Sequence, residues 1–136
     1  MIFCLDSNIA IQLLRGGRPD VENRLADALV EGTVSLSAIV LMELQYGVHR
    51  ATHRERAQAA LDRLLTAPFV SLPFTDDDAA CAGRTKADLA SQGLSIGPYD
   101  ALIAAQAITR QMILMTSNTR GFSRIAGLKL VDWLTP

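Results

Sequence analysis

Hydrophobic residues recur along this chain with two different spacings, which alternate from one segment to the next. Short runs of apolar or β-branched residues predict strands, because such runs fit buried or half-buried extended segments. A further run, between two prolines, is predicted to be extended as well. These segments are MIFCL, TVSLS, PFVSLPF, MILMTS and LKLVDW, at residues 1–5, 33–37, 68–74, 112–117 and 128–133.

The segments between them carry apolar residues three and four positions apart, which predicts helices. Several of these segments begin at a polar residue or proline and end at glycine, as helices do. The predicted helices cover residues 7–17, 18–32, 38–48, 54–67, 75–93 and 99–111, with a loop at 94–98 and a loop or short helix at 118–127. Strands that alternate with helices favour an α/β domain with a mainly parallel central sheet and helices on both faces.

Composition adds the expected size and setting of the protein. The chain has 136 residues, 49% of them hydrophobic and 20% charged, which predicts a single globular domain over residues 1–136. No apolar run approaches the length of a membrane span, and no secretory signal pattern is visible. Cys4 and Cys81 lie in apolar or alanine-rich segments and are expected to be buried thiols. We therefore expect a reduced, cytoplasmic setting without membrane association.

The charge distribution is more informative than the net charge of −1. Residues 101–131 contain four basic residues and no acid, and residues 49–63 contain four arginines. Basic segments in a nearly neutral protein suit local contact with phosphate groups. Solvated helix faces explain the same pattern, and both interpretations stay open.

Three acidic residues are conspicuous because each lies among apolar neighbours. Asp6 follows the first predicted strand, Glu43 lies inside an apolar helix, and Asp100 begins another. Each has a simple alternative role: Asp6 as a helix cap, Glu43 as a solvent-facing residue, and Asp100 as a partner of the helix dipole. Ser7 and Asn8 can cap the helix that follows, which would free Asp6 for a site.

Together, the three acids predict a metal site. Ligands of parallel α/β sheets bind beyond the carboxyl ends of the strands, where these acids are expected to converge. Carboxylates that share a site repel one another, and a divalent cation such as Mg²⁺ or Mn²⁺ removes that repulsion. No cysteine–histidine spacing indicates zinc, and His49 and His53 are expected at the surface.

Four stretches, in this order, resemble the PIN-domain nucleases and most closely the VapC-type toxins of bacterial toxin–antitoxin pairs. They are LDSNIAIQLLRG, LSAIVLMELQYGV, GLSIGPYDALIAAQA and MTSNTRGFSRIAGLKLVDW, and they span nearly the whole chain. The resemblance implies a three-layer PIN-like fold and an Mg²⁺-dependent endoribonuclease that hydrolyses phosphodiester bonds of tRNA, rRNA or mRNA. One or two ions would bind, and Mn²⁺ could substitute.

The resemblance also implies partners. A small cognate antitoxin would neutralise the toxin, which would be a homodimer and could form higher complexes with the antitoxin. The apolar helix near residues 9–14 and the helix near residues 54–65 are candidate surfaces for an amphipathic antitoxin segment. Both helices could equally face the core.

Residue by residue, Asp6, Glu43 and Asp100 match the family's acidic metal-site positions and are expected to be catalytic and metal-binding. Asn118 matches a polar position that follows the fourth strand. Polar residues near these positions are candidates for hydrogen bonds around the carboxylates or for pocket walls, with simple capping as the alternative. They are Ser7, Asn8, Thr116, Ser117, Asn118 and Thr119.

Contacts with RNA are expected to be mainly electrostatic. Arg120 and Arg124 follow the fourth predicted strand and are expected to contact RNA phosphates. The chain has few aromatic residues, so base stacking is expected to contribute little. Tyr46 and Tyr99 are expected in the core, with pocket walls as the alternative.

One position departs from the family pattern. Related chains commonly have an acid where this chain has Gly121, so a second metal ion would be held weakly or arrive with the substrate. Asp88 and the Asp76–Asp78 run are expected on a solvated face and at a helix start, and do not replace that acid. The departure leaves open a non-catalytic or weakened binding module, beside a DNA-directed nuclease on the same fold. A haloacid-dehalogenase-type phosphoaspartate enzyme fits less well, because Asn8 stands where its second aspartate would be.

Overall fold

The structure is a computed structural model that describes residues 1–133. Its strands, in chain order, are β1 (Ile2–Leu5), β2 (Thr33–Ser37), β3 (Val70–Leu72), β4 (Ile113–Met115) and β5 (Lys129–Val131). They form one sheet in the order β3-β2-β1-β4-β5, and every neighbouring pair is parallel. The predicted α/β class is confirmed for the described residues. The single domain over residues 1–136 stays a prediction, since residues 134–136 lie outside the described part.

Helices occupy most of the chain between the strands. They are α1 (Ser7–Arg15), α2 (Pro19–Glu31), α3 (Ala38–Arg50), α4 (Arg54–Leu64), α5 (Asp76–Ser91), α6 (Pro98–Thr109) and α7 (Thr119–Phe122). From β1 the chain adds β2 and β3 on one side, and it then crosses back to add β4 and β5 on the other side of β1. Because parallel crossovers are right-handed, the helices before β3 and those after it cover opposite faces of the sheet. Within residues 1–133, no helix combines the length and apolar character needed to cross a bilayer.

The predicted elements are present, although several boundaries differ. The first helix ends just before Gly16 and Gly17, the glycines predicted to stop it, and the φ of 72° at Gly16 is a left-handed conformation that favours glycine. The strand predicted over residues 112–117 is shorter, covering Ile113–Met115. The segment 118–127, predicted as a loop or short helix, contains the short helix α7.

The two central strands form the buried middle of the sheet. Cys4 and Leu5 in β1, like Leu114 and Met115 in β4, have no exposed surface. Continuous apolar side chains on both faces are typical of parallel strands that are covered on both sides. Cys4 and Cys81 are buried free thiols, as predicted.

A close backbone approach explains the glycine between α2 and β2. The Thr33 amide donates to the carbonyl oxygen of Met1 over 3.1 Å, which starts the parallel pairing of β1 with β2. A Cβ atom on Gly32 would lie 1.9 Å from the same oxygen. Any other residue at this position would therefore push the two strands apart.

Asp78 contradicts the interpretation of the Asp76–Asp78 run as helix-start acids on a solvated face. The first two acids are exposed, but Asp78 is fully buried. Its Oδ1 accepts hydrogen bonds from Arg110 Nη1 and from Thr109 Oγ1, each over 2.6 Å. Burial alone raises the pKa of Asp78, but the hydrogen bonds from Arg110 and Thr109 outweigh it and hold that pKa well below its usual range. Arg110 therefore joins α6 to α5 through an ion pair.

Candidate active site

Asp6 lies between the ends of the two central strands, where the strand order reverses. Its amide donates to the carbonyl oxygen of Met115 over 2.9 Å, which fixes the residue at the crevice where α/β sheets bind ligands. The carboxylate is 1% exposed. Oδ1 accepts from the Ser7 amide over 2.8 Å, and Oδ2 accepts from Thr116 Oγ1 over 2.7 Å.

The expectation that Ser7 and Asn8 would cap α1 is therefore wrong. Asp6 is the N-cap, because its carboxylate reaches the first free amide of the helix. Capping uses Oδ1, and Oδ2 points towards β4. Asp6 thus combines two roles that the sequence presents as alternatives: it caps α1, and it lies at the edge of the sheet where a ligand would bind.

Ser7 connects the first helix to a second acid. Its hydroxyl donates to Glu43 Oε1 over 2.5 Å, across 36 residues of sequence. Ser7 is buried and Glu43 is half-buried on α3. The hydrogen bond fixes one oxygen of the Glu43 carboxylate beside the start of α1.

Asp100 lies in the first turn of α6, after Gly97 and Pro98. Proline suits the first helical position, because that position needs no backbone donor. A Cβ atom on Gly97 would lie 3.0 Å from Asp100 Oδ2, so the carboxylate folds back over the glycine. Asp100 is half-buried.

Electrostatic coupling places the three acids in one group. The pKa of Asp6 is raised to about 6: burial is the largest cause, the hydrogen bonds from Thr116 and Ser7 oppose it, and the negative charges of Asp100 and Glu43 add to it. The pKa of Asp100 is also raised, first by burial and then by the charge of Glu43. The three carboxylates therefore interact electrostatically, and their convergence on one metal site stays a prediction.

The donor set fits a hard divalent cation. Carboxylate oxygens are the donors that Mg²⁺ and Mn²⁺ take in proteins. A bound cation would relieve the repulsion that raises the pKa values of Asp6 and Asp100. Within residues 1–133, no three acidic, histidine or cysteine side chains by themselves form a ready-made ligand cluster.

Thr116 and Asn118 extend the hydrogen-bond chain from Asp6 into the segment after β4. Thr116 Oγ1, which donates to Asp6, accepts from the Asn118 amide over 2.9 Å. Asn118 Oδ1 accepts from the Gly121 amide over 3.2 Å and caps α7. Thr116 therefore contacts a carboxylate, whereas the side chain of Asn118 orders the loop beside it.

Gly121 lies against the Asn118 side chain. A Cβ atom at position 121 would lie 2.8 Å from Asn118 Nδ2 and 3.0 Å from Oδ1. A larger residue at this position would therefore displace the asparagine from its capping geometry. Glycine at position 121, in place of an acid, therefore leaves the space that the Asn118 side chain needs to cap α7.

The remaining predicted hydrogen-bonding residues contact the acids less directly. Asn8 is exposed on α1, and Ser117 and Thr119 are half-buried at the start of α7. Among the described residues, none of the three side chains donates to Asp6, Glu43 or Asp100. Their assignment to the pocket stays a prediction.

The two predicted phosphate contacts differ in their surroundings. Arg120 is exposed on α7. Arg124 Nη1 donates to the Ser95 carbonyl oxygen over 3.4 Å, and Arg124 lines a groove beside α5.

Both tyrosines contradict the expectation that they lie in the core. Tyr46 is 62% exposed and Tyr99 is 45% exposed. Tyr46 lies on the solvent side of α3, with the Arg50 guanidinium 6.0 Å from the ring centroid. Tyr99 precedes Asp100 in the exposed first turn of α6. His49 and His53 are exposed, as predicted.

Known proteins are similar to this chain in both sequence and fold. The family model of the PIN domain matches residues 3–128. A tRNA(fMet)-specific endonuclease VapC from Shigella flexneri is 38% identical over 135 residues, which cover 96% of this chain and 97% of that protein. A ribonuclease VapC2 from Rickettsia felis is 36% identical over 136 residues, which cover 98% of both chains.

A solved structure matches over nearly the same extent. It is the crystal structure of VapBC2 from Rickettsia felis bound to a DNA fragment from their promoter. The matching chain superposes with a TM-score of 0.93 at 34% identity, covering 98% of this chain and 99% of that one. The likeness therefore spans every element that carries the three acids.

Proposed function

The chain belongs to the PIN-domain family and, within it, to the VapC ribonucleases, and we propose that it hydrolyses RNA at Asp6, Glu43 and Asp100 as the toxin of a toxin–antitoxin pair. The observation that carries the proposal is the buried Asp6 carboxylate at the carboxyl ends of β1 and β4, beside Ser7, whose hydroxyl is bonded to Glu43. A divalent cation, Mg²⁺ or Mn²⁺, would be held by Asp6 and Asp100.

In this proposal Asp6 helps to hold the cation, and its neighbours fix the orientation of its carboxylate. When bound, the cation polarises a phosphate oxygen and lowers the pKa of a water molecule. Thr116 and the Ser7 amide hold the Asp6 carboxylate in place through one oxygen each. Pre-formed hydrogen bonds of this kind keep a ligand in its binding orientation.

Glu43 would act on the attacking water. Ser7 occupies Oε1, which leaves Oε2 to accept the proton as the water oxygen bonds to phosphorus. The leaving group is the 3′-oxygen of the preceding nucleotide, which would take a proton from solvent, so the products carry a 5′-phosphate and a 3′-hydroxyl. Half-burial of Glu43 and Asp100 leaves room for substrate at the mouth of the site.

The lack of a carboxylate at position 121 affects how many metal ions the protein can hold. With no carboxylate at position 121 and Asn118 beside it, the chain supplies three acids to the site. We propose one protein-held ion, with any second ion arriving with the RNA phosphate.

The partner would be a small antitoxin with an amphipathic segment. A groove of about 470 Å³ lies between α1 and α4, where Leu14, Ala57 and Ala60 supply an apolar wall and Arg15 and Arg56 supply charge. The groove lies at the helices near residues 9–14 and 54–65, which are the predicted antitoxin surfaces. An apolar helix face with acidic neighbours would fit it. The homodimer, and higher complexes with the antitoxin, belong to the same proposal.

Cleavage assays test the proposal directly. Protein freed of antitoxin is incubated with RNA and with single-stranded DNA, in Mg²⁺ and in chelator. We expect RNA cleavage that needs the metal and is abolished in Asp6→Asn and Asp100→Asn. Asp27→Asn, which changes an exposed acid on α2, serves as the matched control and should cleave normally.

The other outcomes identify the alternatives. Cleavage of DNA but not RNA would indicate a DNA-directed nuclease on the same fold. Absence of cleavage by the unmodified chain at every metal concentration, with intact antitoxin binding, would indicate a non-catalytic binding module.

A further inference from the structure

A second groove, of about 380 Å³, lies beside α5 and faces the segment that follows α7. Arg84 contributes to it from the middle of α5, and Arg124 contributes from beyond the end of α7. The two arginines are forty residues apart in sequence. Only the packing of the last helices brings them to one groove.

Neither guanidinium has an ion-pair partner among the described residues. Within residues 1–133, ion pairs join Arg18 to Asp20 and Arg110 to Asp78. Arg124 donates only to the Ser95 carbonyl oxygen, over 3.4 Å. The remaining donors of both planar guanidinium groups are therefore available to a ligand.

The rest of the groove suits an oxygen-rich, negatively charged ligand. Thr85, Ser91 and Gln92 add hydroxyl and amide groups, above an apolar floor that includes Leu89. A guanidinium binds phosphate oxygens through two parallel N–H donors, which gives both attraction and orientation. Asp88 also lines the groove and opposes this attraction.

The loop before α6 connects the groove to the helix that carries Asp100. Ser95, which accepts from Arg124, lies two residues before Gly97, where a Cβ atom would lie 3.0 Å from Asp100 Oδ2. On the other side, the segment that carries Arg124 continues from α7 and its capping Asn118. This loop is therefore the path that we expect a polymer to follow from the carboxylates to the groove.

We propose that Arg84 and Arg124 form a phosphate-binding subsite for the RNA strand outside the point of cleavage. This inference rests on the proposed function, because it takes the ligand at the carboxylates to be RNA. The subsite binds a backbone phosphodiester of the same strand. It increases affinity without contacting the scissile phosphate.

Direct binding in chelator tests the subsite without catalysis. The probe is a fluorescently labelled, short single-stranded RNA, and anisotropy gives its dissociation constant at several salt concentrations. Arg84→Ala and Arg124→Ala should each weaken binding about three- to ten-fold. Each should also reduce the slope of log affinity against log salt by about 0.7, the value for one phosphate contact on a single strand.

Further variants distinguish binding in the groove from a general effect of protein charge on RNA affinity. Lys86→Ala removes an exposed cation on α5 that does not line the groove and should leave affinity and slope close to those of the unmodified chain. Asp88→Asn should strengthen binding, since it removes the acid of the groove, whereas Asp27→Asn should not. Arg84→Lys should retain part of the affinity, and unchanged melting temperatures exclude misfolding.

The results also separate this inference from the proposed function. Loss of binding in the arginine variants, with no cleavage by the unmodified chain, would support the subsite and refute the ribonuclease mechanism. Normal cleavage with arginine variants that bind like Lys86→Ala would overturn the subsite alone. A change in oligomer mass or in antitoxin affinity, with RNA affinity unchanged, would overturn it in favour of a protein-contact surface.

Discussion

Thr116 donates its hydroxyl proton to Asp6 Oδ2 over 2.7 Å, so the residue that follows β4 holds the carboxylate that follows β1. The same Thr116 oxygen accepts the Asn118 amide. A single buried hydroxyl therefore links the central strands to the loop that carries α7.

Removing that hydroxyl should weaken both the fold and the metal site. Thr116→Val keeps the shape but leaves a buried carboxylate oxygen without its donor, which costs about 1–3 kcal/mol of unfolding free energy. Loss of such a partner lowers metal affinity by about 10–100-fold. Denaturant titration and the Mg²⁺ concentration for half-maximal cleavage measure the two effects. Thr116→Ser, which keeps the hydroxyl, should show neither effect in full.

Stability in chelator should fall as the pH rises from about 4 to about 6, through the contribution of Asp6. The pKa of Asp6 is about 6 in the folded chain, above its ordinary value of 3.8, so the folded state binds the proton more tightly. Its stabilising contribution is complete below pH 4 and is lost as the pH passes 6, about 3 kcal/mol in total. The difference between the unfolding free energies of the unmodified chain and Asp6→Asn, measured across this range, isolates it. A difference that does not vary with pH would contradict the assigned direction.

Mg²⁺ should reverse that loss of stability near neutral pH. An ion that binds only the folded state at one hundred times its dissociation constant adds about 2.7 kcal/mol. The melting temperature should therefore rise on adding Mg²⁺, and Asp100→Asn should remove much of the rise. Asp27→Asn provides the comparison. A full Mg²⁺ effect in both Asp6→Asn and Asp100→Asn would place the metal elsewhere.

Breaking the Asp78–Arg110 pair should destabilise the fold without changing the chemistry. Arg110→Ala leaves a fully buried carboxylate without its cation, at a cost of about 3 kcal/mol. Replacing both residues by alanine should cost less than the sum of the two single changes, because no charge is left buried. Denaturant unfolding gives these energies. Cleavage per folded molecule should stay unchanged at low temperature.

Gly121 and Asn118 should behave as one unit. Gly121→Ala pushes the Asn118 side chain out of its capping bond, at about 1 kcal/mol, the usual value of such a cap. Asn118→Ala loses the same bond, so the double variant should cost little more than either single variant. A cycle of melting temperatures tests this. Additive effects would show that the side chain has not been displaced.

The sequence predicted the parts of this site that depend on local order along the chain. Asp6 directly follows a buried strand, and Asp100 begins an apolar helix, so the parallel architecture alone brings them to the same edge. Thr116 was among several polar candidates after the fourth strand. Only the folded geometry distinguishes it from Ser117 and Thr119, because neighbouring residues at a strand end point in different directions.

Features that depend on distant partners were not predictable in this way. A row of three aspartates at a helix start looks the same in sequence whether or not one of them meets Arg110, 32 positions further on. The groove of Arg84 and Arg124 was not predictable either: Arg124 was an expected phosphate contact, but no sequence pattern pairs it with Arg84, forty residues earlier. Tyr46 and Tyr99 are exposed because their helices turn those positions to solvent, which residue type alone does not indicate.

The adjacent residues Asp6 and Ser7 give α1 a mechanical role. Through Asp6 the first turn of this helix is bonded to the end of β4, and through Ser7 it is bonded to Glu43 on α3. A rotation or shift of α1 therefore changes the separation of the two carboxylates even when nothing touches them. A protein bound to the outer side of this helix would alter the spacing of Asp6 and Glu43 from a distance, without contacting either carboxylate.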